Sequence, residues 1–120
     1  MANIAVLGYG TVGSGVVEVL NTNKDRINSK SYEPINIKYV LDLRDFPGDP
    51  VQEIITHDYN DILNDNTIDV VVEVMGGINP AYTFVKQALE SGKSVCTSNK
   101  ELVAAHGGEL MALAKEYNVN

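Results

Sequence analysis

The chain has 120 residues, 44% of them hydrophobic and 21% charged, which suits one folded globular domain and excludes a disordered chain. Nine basic residues against sixteen acidic ones leave a net charge of −7 without any Lys/Arg cluster, so neither nucleic acid nor an anionic membrane surface is expected as a partner. A single cysteine, Cys96, rules out an internal disulfide framework and a cysteine-built metal centre, and no metal is expected.

No apolar run is long enough to span a bilayer, and no basic stretch precedes the first apolar residues, so a cytoplasmic protein is expected. Ile4-Ala5-Val6-Leu7 reads as a buried strand and runs directly into Gly8-Tyr9-Gly10-Thr11-Val12-Gly13, the spacing G-x-G-x-x-G. In a dinucleotide site Gly8 allows the tight strand-to-helix turn and Gly10 lets backbone approach the pyrophosphate. Gly13 lets the helix pack closely on the strand. The helix N-terminus offers free N–H groups to the anion. An ordinary tight turn is the plain alternative, and the strand before and helix after the glycines favour the cofactor. Val12, Val16, Val17 and Leu20 recur at helical spacing as one inward stripe, and Asn21 to Ser31 read as a loop.

A second strand is predicted over Ile35–Leu41, followed by Asp42-Leu43-Arg44-Asp45. An acid there hydrogen-bonds the adenosine ribose of NAD, whereas an arginine pairs with the 2′-phosphate of NADP. Both are present, so this pair leaves the cofactor open, with two solvated loop charges as the plain alternative. Pro47-Gly48-Asp49-Pro50 marks a turn, Val51 to Thr56 a brief strand, and Asp61-Ile62-Leu63 a short helix capped by Asp58 or Asn60. Asp69 to Met75 is a β-branched run suited to a parallel strand covered on both faces. Within it Glu73 is costly to bury without donors, and a structural carboxylate accepting backbone N–H bonds is favoured over a catalytic one. Met75, Gly76 and Gly77 at the strand end are candidate cofactor contacts, the two glycines permitting close backbone approach by a ligand, or simply a turn.

Asn79-Pro80 reads as N-cap and first helical residue of a helix whose inward face is Ala81, Phe84, Val85, Ala88 and Leu89, ending at Gly92. Ser94 to Thr97 form the last strand, with Cys96 read as a buried packing thiol in preference to a nucleophile. Thr97-Ser98-Asn99-Lys100-Glu101 then gather polar groups where a nicotinamide would lie. Lys100 there would set its ammonium near the substrate oxygen that gains charge; in the plain alternative Asn99 caps the next helix and Lys100 faces solvent. That helix is predicted from Lys100 to Tyr117 with an interruption at Gly107-Gly108, its last stretch covered by Leu110, Met111, Leu113, Ala114 and Tyr117. His57 and His106 have no partner at ligand spacing and read as surface or packing residues. The alternation of strands and helices predicts an α/β, Rossmann-like, doubly wound parallel sheet. The rhythm calls for another strand after Asn120, so a single cofactor domain over residues 1–120, truncated before its last strand or strands, is expected from a longer protein.

Val72-Glu73-Val74-Met75-Gly76-Gly77, Pro80-Ala81, Ala88-Leu89, Gly92-Lys93 and Thr97-Ser98-Asn99-Lys100-Glu101-Leu102 resemble the N-terminal NAD(P)-binding domain of the homoserine dehydrogenases over essentially the whole chain. Other Rossmann oxidoreductases share the Ala-Leu-x-x-Gly-Lys stretch but typically carry Glu-Lys-Pro where this chain has Ser98-Asn99-Lys100. The resemblance implies an enzyme that interconverts L-homoserine and L-aspartate 4-semialdehyde with NAD(P), in the route to threonine, methionine and isoleucine. It implies that Tyr9, Gly10, Thr11, Val12 and Gly13 hold the pyrophosphate, and that Arg44 reads a phosphate, which tilts the cofactor towards NADP while Asp42 keeps NAD open. It implies that Lys100 lies beside cofactor and substrate, with Ser98 in place of the family's usual alanine. The family's substrate-gripping acids and proton-transferring lysine lie in a following domain, so these 120 residues alone are expected to be inactive, and the full-length enzyme to be a homo-oligomer. The rival readings are another oxidoreductase of amino acids or sugars, and a nucleotide-sensing module without chemistry.

Overall fold

The structure, a computed structural model, describes residues 2–22 and 35–119. Strand β1 (Ala2–Leu7) leads through the glycine turn into helix α1 (Thr11–Thr22). After the undescribed stretch come β2 (Ile35–Leu41), a 3-10 turn (Pro50–Ile54) and the two-residue β3 (Ile55–Thr56). Helix α2 (Tyr59–Leu63), β4 (Ile68–Glu73), α3 (Ala81–Glu90), β5 (Ser94–Thr97) and α4 (Lys100–Glu116) complete the chain. The five strands pair in the order β3-β2-β1-β4-β5, all parallel. The chain therefore reverses its direction of winding between β1 and β4, the switch point where doubly wound sheets open a crevice. No helix among the described residues is long and apolar enough to cross a membrane.

Side-chain alternation along the strands builds two cores, one on each face. Ala5 and Leu7 of β1 join Leu41, Tyr59, Ile62, Val71 and Ala88 under α2 and α3. Ile4 and Val6 point the other way, to Val17 of α1, Val40 and Val51. A third cluster of Ala81, Val85, Leu89, Leu102 and Leu110 joins α3 to α4. Truncating a fully buried member such as Leu7 to alanine costs about 2–5 kcal/mol.

The strand register fixes what the site receives. Leu41, Leu7, Glu73 and Thr97 form one row across the sheet. The next residue of each strand exits the same edge, and backbone bonds from Gly8 to Leu41 (2.7 Å) and from Val74 to Leu7 (3.1 Å) extend the ladders into the loops.

Several local expectations are corrected. Val12 is 55% exposed, because Gly13 and Val17 form the inward line of α1 and Val12 lies about 100° from it. Helix α1 continues through Asn21 and Thr22; the rest of the expected loop lies outside the described residues, and the side chain of Leu20 is likewise undescribed. Val51 to Ile54 are 3-10 turn rather than strand, leaving only Ile55–Thr56 paired to β2. Asp58 is the cap of α2, accepting from the Asn60 N–H at 2.9 Å. Strand β4 runs from Ile68 to Glu73, starting one residue and ending two residues before the expected bounds, because the Met75 and Gly76 N–H groups turn to the Glu73 carboxylate instead of a neighbouring strand.

At α3 the cap position is held by Pro80, without a side-chain cap bond, so Asn79 does not cap; the Asn79–Pro80 peptide is cis. The other end of α3 is as expected, with Gly92 and Lys93 N–H groups bonded back to Leu89 and Ala88 at 3.0 Å each. Gly107 and Gly108 do not interrupt α4, because the Asn99 cap and the burial of Leu102 and Leu110 against α3 outweigh their low propensity. Met111 is exposed, lying off the line set by Leu110 and Leu113, and Tyr117 is exposed as the C-cap just past the last helical residue, Glu116. Cys96 is exposed rather than buried: Val95 packs towards α3 and α4, so alternation sends Cys96 to the opposite face, which no described helix covers there.

Candidate functional site

The glycine turn sits at the carboxyl end of central β1, between the ends of β2 and β4. A Cβ at Gly13 would stand 2.1 Å from the Gly8 carbonyl oxygen, so nothing larger fits between helix and turn. A Cβ at Gly10 would meet nothing within 4 Å, which leaves the backbone of the turn open above the α1 N-terminus. The first-turn N–H groups of α1, at Thr11, Val12 and Gly13, have no intrahelical acceptor, and that turn carries no acid to repel an anion. These features fit a pyrophosphate.

Beside the turn lies a cavity of about 510 Å³ walled by Gly8, Tyr9, Gly10, Leu41 to Arg44, His57, Tyr59, Val74, Met75, Pro80 and Phe84. One side is flat and apolar, from Tyr59 stacked on Phe84 at 4.2 Å and from Met75 and Leu41. Burial holds the Tyr59 hydroxyl proton firmly, raising its pKa, and that hydroxyl donates to the Phe84 carbonyl at 2.6 Å. The charged part of the lining is Asp42 and Arg44. Asp42 accepts from the Tyr9 N–H at 3.0 Å and from the Arg44 N–H at 2.9 Å. The Arg44 guanidinium closes on the same carboxylate through Nε and Nη2, each at 3.1 Å, and reaches the Tyr9 carbonyl at 3.4 Å. Arg44 hydrogen bonding, more than the two backbone N–H bonds, holds the Asp42 carboxyl at about 2 despite its partial burial. The Tyr9 hydroxyl donates to Asp49 at 3.0 Å, and its ring lies edge-on to Phe46.

The ends of β4 and β5 meet over Glu73. This carboxylate is fully buried and accepts from the Met75 N–H at 2.8 Å, the Gly76 N–H at 3.3 Å and the Thr97 hydroxyl at 2.6 Å, as expected of a structural carboxylate. Gly76 and Gly77 both have positive φ, 78° and 73°, a conformation that strains residues with a Cβ. Asn99 is buried; its side-chain oxygen accepts the Leu102 N–H at 3.0 Å to cap α4, while its amide donates to the Gly77 carbonyl. Ser98 and Lys100 are exposed on a shallow hollow with Thr97, Val103 and Ala104. Among the described residues no acid pairs with the Lys100 ammonium.

The expected residues thus fall into two groups along one edge of the sheet. Gly8, Tyr9, Gly10, Asp42, Arg44 and Met75 line the cavity, with Thr11, Val12 and Gly13 following at the start of α1; Gly76, Gly77 and Asn99 join at Glu73, with Ser98 and Lys100 on the adjoining hollow. The apolar wall of Tyr59, Pro80, Phe84 and Leu43 went unread as site, because in sequence it is indistinguishable from core or loop. His57 stands at the cavity rim and pairs with Asp45 at 2.9 Å, while His106 stacks on Tyr82 beside Glu109. No group of residues suited to a metal ion occurs among the described residues.

Residues 8–120 match the family model described as homoserine dehydrogenase, NAD binding domain. The homoserine dehydrogenase of Lactococcus lactis is 40% identical over 123 residues, covering 98% of this chain and 28% of that protein. That of Bacillus subtilis is 39% identical over 117 residues, covering 94% of this chain and 27% of its own length. A crystal structure of S. aureus homoserine dehydrogenase superposes with a TM-score of 0.90 at 42% identity, over 98% of this chain and 31% of that one. The chain therefore spans little more than a quarter of the length of the curated relatives it matches. With a family model covering nearly every residue and a sheet that superposes on its members, this chain belongs to the homoserine dehydrogenase family, as an NAD-binding domain of it.

Proposed function

We propose that this chain is the cofactor-holding part of an enzyme that transfers hydride between L-homoserine and NADP, or NAD, to give L-aspartate 4-semialdehyde. The observation that carries the reading is the glycine turn: packed shut at Gly13 and open at Gly10, it exposes helix N–H groups at the sheet's switch point. Gly8 to Gly13 hold the pyrophosphate. Asp42 and Arg44 face the adenosine ribose, with the apolar wall of Tyr59 and Phe84 beside them for the base. Met75, Gly76, Gly77, Ser98 and Asn99 line the nicotinamide end. The bound nicotinamide supplies the hydride acceptor, and Lys100 sets a positive charge beside the substrate oxygen as that oxygen gains negative charge. Residues outside this chain grip the substrate and move its proton, in a homo-oligomeric cytoplasmic enzyme.

Two measurements on the 120-residue protein test this reading. Calorimetric titration should give saturable binding of NADP or NAD, and mixing with homoserine and either cofactor should give no reduction at 340 nm. Failure to bind either nucleotide would sink the cofactor assignment; homoserine-dependent reduction would sink the assignment of substrate chemistry to residues elsewhere.

A further inference from the structure

We propose that Glu73 is a positioning residue for the nicotinamide end of the site, setting the Gly76-Gly77 loop and the start of α4 against each other. The inference rests on the cofactor reading above. Glu73 ends β4 with its carboxylate fully enclosed, and it has four donors: the Met75 and Gly76 N–H groups, the Thr97 hydroxyl and, at 3.5 Å, the Asn99 side-chain amide. Among the described residues no basic side chain pairs with it.

Its bonds run on in two directions. Through Met75 and Gly76 it fixes the loop whose two glycines turn with positive φ. Through Thr97, whose oxygen accepts the Asn99 N–H at 3.0 Å, it fixes Asn99. Asn99 in turn caps α4 and donates to the Gly77 carbonyl, so both loops close on one carboxylate, and Lys100 is the next residue. An apolar residue would fill this point of the row without the desolvation cost of a carboxylate. What an apolar residue could not do is accept from two loops at once.

Titration of the 120-residue protein with NADPH and with 2′-phospho-ADP-ribose, which lacks the nicotinamide, separates positioning from simple stabilisation. NADH and ADP-ribose serve as the second matched pair. Wild type should bind the nicotinamide-bearing member of a pair more tightly. Glu73→Ala should lose about tenfold in that affinity, the effect of about 1.4 kcal/mol, with the shorter ligand changed less than twofold. Glu73→Gln, whose oxygen still accepts from Met75 and Gly76 and whose amide can donate to Thr97, should recover most of the loss. Thr97→Val, which removes the hydroxyl link to Asn99 and leaves only the 3.5 Å amide contact while keeping Glu73 in place, should lose in the same direction, and it decides the matter if Glu73→Ala does not fold. A lowered melting temperature with an unchanged ratio between the paired ligands would overturn the proposal, as would equal wild-type affinity for both members. Wild-type protein that binds none of the four ligands would instead overturn the cofactor reading on which the inference stands.

Discussion

Arg44 and Asp42 show how far single residues can be read without their geometry. The sequence offers an acid suited to a ribose hydroxyl and a base suited to a 2′-phosphate, two residues apart, and spacing does not choose between them. The structure has them engaged with each other, guanidinium to both carboxylate oxygens. A 2′-phosphate must therefore compete with Asp42 for Arg44, while a ribose hydroxyl must compete with Arg44 for Asp42. Removing the guanidinium takes away the phosphate's partner and at the same time frees the acid, which keeps its backbone donors from Tyr9 and residue 44. Arg44→Ala should accordingly weaken NADP by about tenfold or more, the worth of one charge-assisted pair, and leave NAD unchanged or slightly tighter. Titrating both cofactors against both proteins checks this; equal losses for NAD and NADP would refute a phosphate-reading role.

At the level of elements, legibility followed the number of residues that repeat one instruction. β2 and β5 begin and end where alternation and β-branching place them, because Ile35, Ile37, Tyr39 and Val40 in one and Val95 and Thr97 in the other repeat the same preference. Errors collected where one residue was asked to decide, as with Asn79 for the cap of α3 and Gly107-Gly108 for a break in α4. The glycine signal lost to packing, since α4 is carried by its contacts with α3 and its Asn99 cap. The same reasoning gives a signed prediction. Gly108 is exposed in mid-helix, and a Cβ there meets nothing within 4 Å, so Gly108→Ala should raise stability by about 0.5–1 kcal/mol. At Gly107 the Cβ would come within 3.2 Å of Val103 Cγ1, so its replacement should yield less. Urea midpoints of the two variants measure the difference, and a Gly108→Ala protein no more stable than wild type would mean that α4 is strained at that turn.

For the whole molecule, the sheet order and the aligned row of strand ends decide which distant segments meet. The alternation of strands and helices was enough to expect a doubly wound sheet. It could not show that Tyr59 and Phe84 would wall the cavity, because that depends on the paths from β3 to β4 and from β4 to β5 and not on any local pattern. The charge distribution is likewise a property of the assembled fold. Lys38 of β2 holds Asp65, in the loop before β4, at 2.6 Å, as Arg44 holds Asp42 at the carboxyl edge. Hydrogen bonds from Lys38 and from Thr67 keep the Asp65 carboxyl at about 2, the same value as Asp42. An unfolded aspartate titrates near 3.9, so the folded state binds fewer protons than the unfolded one between that value and about 2. The stability these two carboxylates contribute is complete above roughly pH 4 and is lost as the pH falls through about 2. The exposed acids behind the net charge of −7 work the other way, since their neutralisation towards the isoelectric point near 4.6 relieves repulsion. Stability should therefore hold or rise slightly from pH 7 to about 4.6 and decline below pH 4. Asp65→Asn and Asp42→Asn should each be less stable than wild type at pH 6, and the gap should narrow as the pH approaches 2. Urea midpoints taken at pH 6, 4, 3 and 2 at low protein concentration measure that gap, and a gap independent of pH would show that neither ion pair carries the linkage.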